Sequence, residues 1–178
     1  VAQRNVLTLE PQGPEFVASV FAGYSKTRKR AECRRLDIVI DGRPLRYLWR
    51  DWEQPEWDME VPVPDLITMM SPSSRKAAST QLDQLRGPDA GDAPKRVELF
   101  FCPACFDISD GILSVEVART ADAVTWRAFG WKDEEQDGDA DALITNATEL
   151  VFDAVAYDAV LGSAQAAFRL GFGWRRKR

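Results

Sequence analysis

The sequence predicts an α+β fold: an antiparallel sheet of hairpins with a C-terminal helix and one other helix packed on it. Three observations carry this reading. Short apolar stretches with period-two alternation follow one another in hairpin series, separated by turn residues. A closing stretch, Ala154 to Leu170, places Tyr157, Val160, Leu161, Ala164, Ala167 and Phe168 on one helical face. Ser71-Pro72 combines a hydroxyl N-cap with proline at the first helical position. At 178 residues the chain is read as a single domain, 1–178, long enough to bury about two thirds of its unfolded surface.

The elements follow in order. NVLTLE and EFVASVFAGYS read as strands, broken by the turn cluster Pro11-Gln12-Gly13-Pro14. RRLDIVIDGRPLRYLW reads as a hairpin, with Leu36, Ile38 and Ile40 alternating, Asp41-Gly42 turning, and Leu45, Tyr47 and Trp49 resuming the alternation. RDWEQPEWDMEVPVP is a loop held extended by its prolines. The helix begun at Pro72 runs to Arg86, and its thin apolar face (Ala78, Leu82, Leu85) predicts a surface position. Gly87-Pro88 stops it, and residues 87–94 are the candidate internal linker. KRVELFFC is a strand, and Ile112–Arg119 with Val124–Trp131 form the clearest hairpin. TELVF is a short strand, after which Asp153 caps the closing helix.

Composition excludes several chemistries. The chain has no histidine, which removes Ser-His-Asp and Cys-His catalysis and the histidine zinc sites. No catalytic residue is assigned, and the expectation is a protein that is not an enzyme. No run of 18 apolar residues occurs, so no membrane helix is expected. The N-terminus lacks the apolar core of a secretory leader, Val1 in place of Met reads as a trimmed chain or an unusual start, and the three cysteines are an odd count. Together these point to the reducing cytoplasm. The net charge of −5 opposes nonspecific nucleic-acid binding, although GRPLRYLWR and GFGWRRKR mix basic and aromatic residues. Lys26–Arg35 carries six basic residues against one acid, and Lys132–Asp141 carries six acids against one base. Such blocks are solvated loops, or complementary patches for a partner or a second copy.

Two constellations are candidate sites. In FFCPACFDISDG, Cys102 and Cys105 have the spacing that turns two thiolates toward one ion. Asp107, Asp110 and Cys33 are the remaining candidate ligands, and zinc is the one candidate cofactor. A redox dithiol is disfavoured because a strand, not a helix N-terminus, follows. In LWRDWEQPEW, Trp49, Trp52 and Trp57 cluster beside Arg50. These four are the candidate partner-binding residues, tryptophan and arginine being enriched at interface hot spots. Asp133, Glu135, Asp137 and Gly138 fit the start of a calcium loop, but Ile144 stands where its closing glutamate is required. Asn146-Ala147-Thr148 is a glycosylation sequon with no sign of secretion around it.

The chain resembles a group of uncharacterised, mainly actinobacterial proteins. Their C-terminal halves look like Cys-Pro-x-Cys-Gly-Asp-Leu-Gly-Cys-Gly, a Val-x-Trp-x-x-Phe-Gly hairpin, an acidic loop and a Phe-Asp-x-x-x-Tyr helix start. The matching positions are Asp41-Gly42 with Leu45, Cys102-Pro103-x-Cys105, Asp107, Gly111, Val124-x-Trp126-x-x-Phe129-Gly130, and Phe152-Asp153 with Tyr157. Phe106 stands where the relatives have glycine, and Asp110 where they have a third cysteine. Replacing soft sulfur by a hard carboxylate weakens a zinc site. The resemblance implies no known activity. The reading is therefore a cytoplasmic, non-enzymatic interaction domain, immunity- or antitoxin-like or self-associating, whose partner is a protein or a second copy. The alternative is a degenerate CPxC domain with structural zinc or a thiol site.

Overall fold

The computed structural model describes residues 4–12, 35–53, 67–101, 112–132 and 142–170. The expected strand EFVASVFAGYS and the glycine- and basic-rich C-terminal tail lie outside these residues. In chain order the elements are β1 (Leu7–Pro11), β2 (Leu36–Ile40), β3 (Arg43–Pro44), α1 (Leu45–Glu53), a 3-10 turn (Pro72–Ser74), α2 (Arg75–Leu85), β4 (Lys95–Phe100), β5 (Ile112–Arg119), β6 (Ala123–Lys132), β7 (Ala142–Leu143), β8 (Leu150–Asp153) and α3 (Ala154–Leu170). The strands form antiparallel sheets accompanied by helices, an α+β fold. No helix among the described residues is long and apolar enough to cross a membrane.

The larger sheet has the order β4-β5-β6-β7, with β8 also on β6. β6 is long enough to hold two partners on one edge: β8 along Ala123–Trp126 and β7 at Gly130–Trp131. The smaller sheet is β1-β2-β3. A parallel bridge between Asn5 and Phe152 joins the two. There the Asn5 amide N–H donates to the Val151 carbonyl at 2.7 Å, and the Val151 N–H donates to Asn5 Oδ1 at 2.9 Å. Both sheets and all three helices contribute to one apolar core.

β6 carries a bulge. The β5–β6 register shifts between Ser114 and Glu116, and Ala128 on β6 takes φ +49°. An extra residue in one strand reverses the inside–outside phase beyond it. Trp126 and Phe129, three apart, are therefore both buried in the same core. Arg96 Nη1 donates to the freed Ala128 carbonyl at 2.6 Å.

Tyr157 joins the sheet to both long helices. Its hydroxyl accepts from Trp126 Nε1 at 3.1 Å and donates to the Leu85 carbonyl at 2.6 Å. Leu85 ends α2, so the tyrosine on α3 satisfies a carbonyl that the helix leaves open. The rings of Trp126, Phe152 and Tyr157 pack with centroids 5.3–6.1 Å apart. Burial pushes the Tyr157 hydroxyl pKa far above its ordinary value, so it stays a neutral donor. Asp153 caps α3 by accepting from the Ala156 N–H at 2.9 Å, as its position implied.

Two expectations change. Leu45–Trp49 is helical, not the second arm of a hairpin. Leu45, Trp49 and Trp52 bury one helical face, whereas a strand would send Trp52 to the side opposite Trp49. The described residues thus hold one helix more than expected. α2 is also no surface helix, for Ala78, Gln81, Leu82 and Leu85 are all buried. Its polar member has a specific task. Gln81 Nε2 donates to the Glu98 and Leu99 carbonyls of β4 at 3.2 and 3.0 Å, and Oε1 accepts from the Met69 N–H at 2.7 Å. Residues 87–94 turn back on themselves, with Asp92 N–H on the Asp89 carbonyl and Gly91 N–H on that of Arg119.

Two tests follow from this packing. Tyr157→Phe leaves Trp126 Nε1 and the Leu85 carbonyl buried without a partner, and should cost about 2–4 kcal/mol, read from urea denaturation. Gly87 has φ +73°, and a Cβ there would lie 2.6 Å from Val117 Cγ1. Gly87→Ala should therefore lower stability by about 2 kcal/mol or more. A change within 0.5 kcal/mol, an unaffected surface substitution by size, would contradict that close approach.

Candidate functional site

Helix α1 occupies the end of the molecule where the tryptophan cluster lies. It follows directly from the β2–β3 hairpin, whose turn residues Asp41 and Gly42 have φ of +52° and +79°. Positive φ at both positions is the type I′ geometry that suits a two-residue hairpin. Asp41 is held in it by the N–H of Val6 and the side-chain amide of Asn5, both at 2.7 Å.

The inner side of α1 packs on β6. Trp49 meets Trp131 edge-on at 5.2 Å between ring centroids, and Trp52 lies 4.9 Å from Phe129. Trp49 is 6 % and Trp52 9 % exposed, so neither offers its ring to a partner. Trp49 Nε1 is buried without a hydrogen-bond partner among the described residues. Trp57 lies outside the described residues.

Beneath α1 is a buried ion pair that the sequence reading did not single out. Arg46 Nη1 lies 3.1 Å from Asp37 Oδ2, with the two side chains 9 % and 4 % exposed. Asp37 Oδ1 also accepts from the Ile38 N–H at 3.0 Å. Loss of solvent pushes the Asp37 pKa up to about 6, against the opposing pull of Arg46 and the Ile38 N–H, and Glu10 adds to the rise. Glu10 stands directly across the β1–β2 ladder from Asp37. At 4 % exposure Asp37 is out of reach of a substrate. Its effect is to tie α1 to β2. An aspartate inside LDIVI is the sequence signal for it, since a central strand position is costly for an unpaired carboxylate.

The outer side of α1 is polar and aromatic. The guanidiniums of Arg46 and Arg50 lie 5.5 and 5.6 Å from the ring centroid of Tyr47. Asp51 Oδ2 accepts from Arg43 Nη2 at 2.5 Å, and Oδ1 accepts from Arg50 Nε and Nη2 at 3.2 and 3.1 Å. Arg50, expected beside the tryptophans at a contact surface, is thus grouped with Tyr47 and Arg43 instead. Reading Leu45–Trp49 as a strand hid this grouping.

The candidate metal ligands Cys102, Cys105, Asp107 and Asp110, with Cys33, lie outside the described residues. The strands that bracket the motif are an antiparallel pair, Phe100 opposite Leu113. The described residues themselves hold no group of three metal-ligating side chains. The start of the acidic loop also lies outside, while the sequon residues Asn146 and Thr148 are exposed.

Several of the positions behind the expected resemblance belong to the core. Leu45, Val124, Trp126, Phe129, Phe152 and Tyr157 are all buried in the core. No family model matches this chain, and neither a curated protein nor a solved structure matches it.

Asp37 has a pH signature. Its folded pKa of about 6 exceeds its ordinary value of 3.8, so between these values the folded state holds the proton more tightly. The resulting stabilisation, about 3 kcal/mol, is fully present below pH ~4 and is lost as pH rises through ~6. The stability difference between the wild type and Asp37→Asn, from urea midpoints at pH 4 to 7, should shrink by that amount with rising pH. A difference independent of pH would mean that Asp37 ionises as freely in the fold as outside it.

Proposed function

We propose that this protein is a non-catalytic protein-interaction module that docks through the outer side of α1. The observation that carries this reading is the approach of two guanidiniums to the ring of Tyr47, 5.5 and 5.6 Å from its centroid, on a helix whose inner side is already committed to the core. Tyrosine and arginine are the side chains that most often anchor interfaces, together with tryptophan. The ring also limits the freedom of Arg50, so less entropy is lost when a partner orders it. The anchors of this reading are Tyr47, Arg43 and Arg50, with Trp49 and Trp52 acting from beneath as the support of the helix.

A photo-crosslinking amino acid placed at Tyr47, in cells that make the protein, tests this directly. The expected result is a discrete set of adducts, with a second copy or another protein, that is absent when the same group replaces the exposed Ala166 on α3. No adduct at position 47, or the same adducts from both positions, would end the proposal.

A further inference from the structure

We infer that the outer side of α1 receives an acidic peptide segment of a partner protein, and that Asp51 occupies its guanidiniums until that segment arrives. The inference rests on the interaction reading above and specifies the partner's chemistry. Asp51 is held as an incoming carboxylate would be. One oxygen takes two N–H groups of Arg50 and the other takes Arg43. Carboxylates gripped in this way by guanidinium groups gain both strength and direction. All three side chains are substantially exposed, at 46 % for Arg43, 33 % for Arg50 and 43 % for Asp51. Ion pairs of that exposure are weak, so the resident carboxylate is displaceable.

The local charge favours an acidic visitor. Arg46 is neutralised by Asp37 underneath, while Arg43 and Arg50 share the single carboxylate of Asp51. Among the described side chains of this group that leaves one guanidinium more than carboxylates, on a chain whose net charge is −5. A glutamate- or aspartate-rich segment matches this group in charge and in the type of its resident acceptor. Tyr47 supplies the apolar area beside it.

The test is fluorescence anisotropy with a labelled hexaglutamate peptide at moderate ionic strength. Asp51→Ala and the isosteric Asp51→Asn should each bind the peptide about tenfold more tightly than the wild type. Arg50→Ala should lose most of the binding, whereas Arg127→Ala, on the outer face of the sheet, should not. Three results would overturn the inference: no tightening in either Asp51 variant, an equal tightening in Glu149→Ala, or tighter binding of a labelled oligothymidine or phosphopeptide than of hexaglutamate. If position 47 crosslinks a protein but hexaglutamate fails, only the acidic partner is lost. If position 47 yields no adduct, the docking surface itself is wrong.

Discussion

The hydroxyl of Tyr157 is the constraint on which the arrangement of layers depends. A buried phenol must find partners, and here it finds one on each side. Trp126 fixes its height against the sheet, and the Leu85 carbonyl fixes where α2 ends. The packing of α3 on the sheet and of α2 beside α3 therefore share a single reference point. Around it, Arg119 is paired with Asp158 and donates to the Arg86 carbonyl at 3.1 Å, so the same three elements are also joined at a half-exposed rim. Apolar packing alone would tolerate sliding between these layers; the polar pair in its midst does not.

The β6 bulge does for the sheet what Tyr157 does for the helices. Without the extra residue, Trp126 and Phe129 would point to opposite faces. With it, Trp126 meets Phe152 and Tyr157, and Phe129 meets Trp52 of α1. The Val-x-Trp-x-x-Phe-Gly spacing is thus the written form of a backbone irregularity. Val124, Trp126 and Phe129 record how this core is assembled.

Much of the fold was legible from local rules. Gly87-Pro88 and Asp153 bound their helices because capping and termination are decided by adjacent residues, whereas Ser71-Pro72 opens a 3-10 turn and α2 begins only at Arg75, after Ser74. The β5–β6 hairpin announced itself through alternation over a long window. The stretch Leu45–Trp49 was not legible, because five residues satisfy a period of two as well as one of 3.6. Trp52 breaks the tie, but only if the following loop is read as helix. α2 was misplaced because its buried side contains Gln81, whose partners are backbone carbonyls far away in sequence. The candidate surface was missed for the first of these reasons: Tyr47 and Arg50 share a side only once α1 is a helix. The ion pair of Asp37 and Arg46 likewise needs both the strand and the helix in place before its members meet.

Gln81 has a consequence for the end of β4. Among the described residues β4 pairs with β5 along one side, and a bare strand edge is a template for pairing with any other extended chain. Near its end the carbonyls of Glu98 and Leu99 are taken by the Gln81 amide, and just beyond it Ile67 and Phe101 are joined by a bridge. One glutamine thus does for this stretch part of what a further strand would do, and the end of β4 has two fewer carbonyls to offer another extended chain.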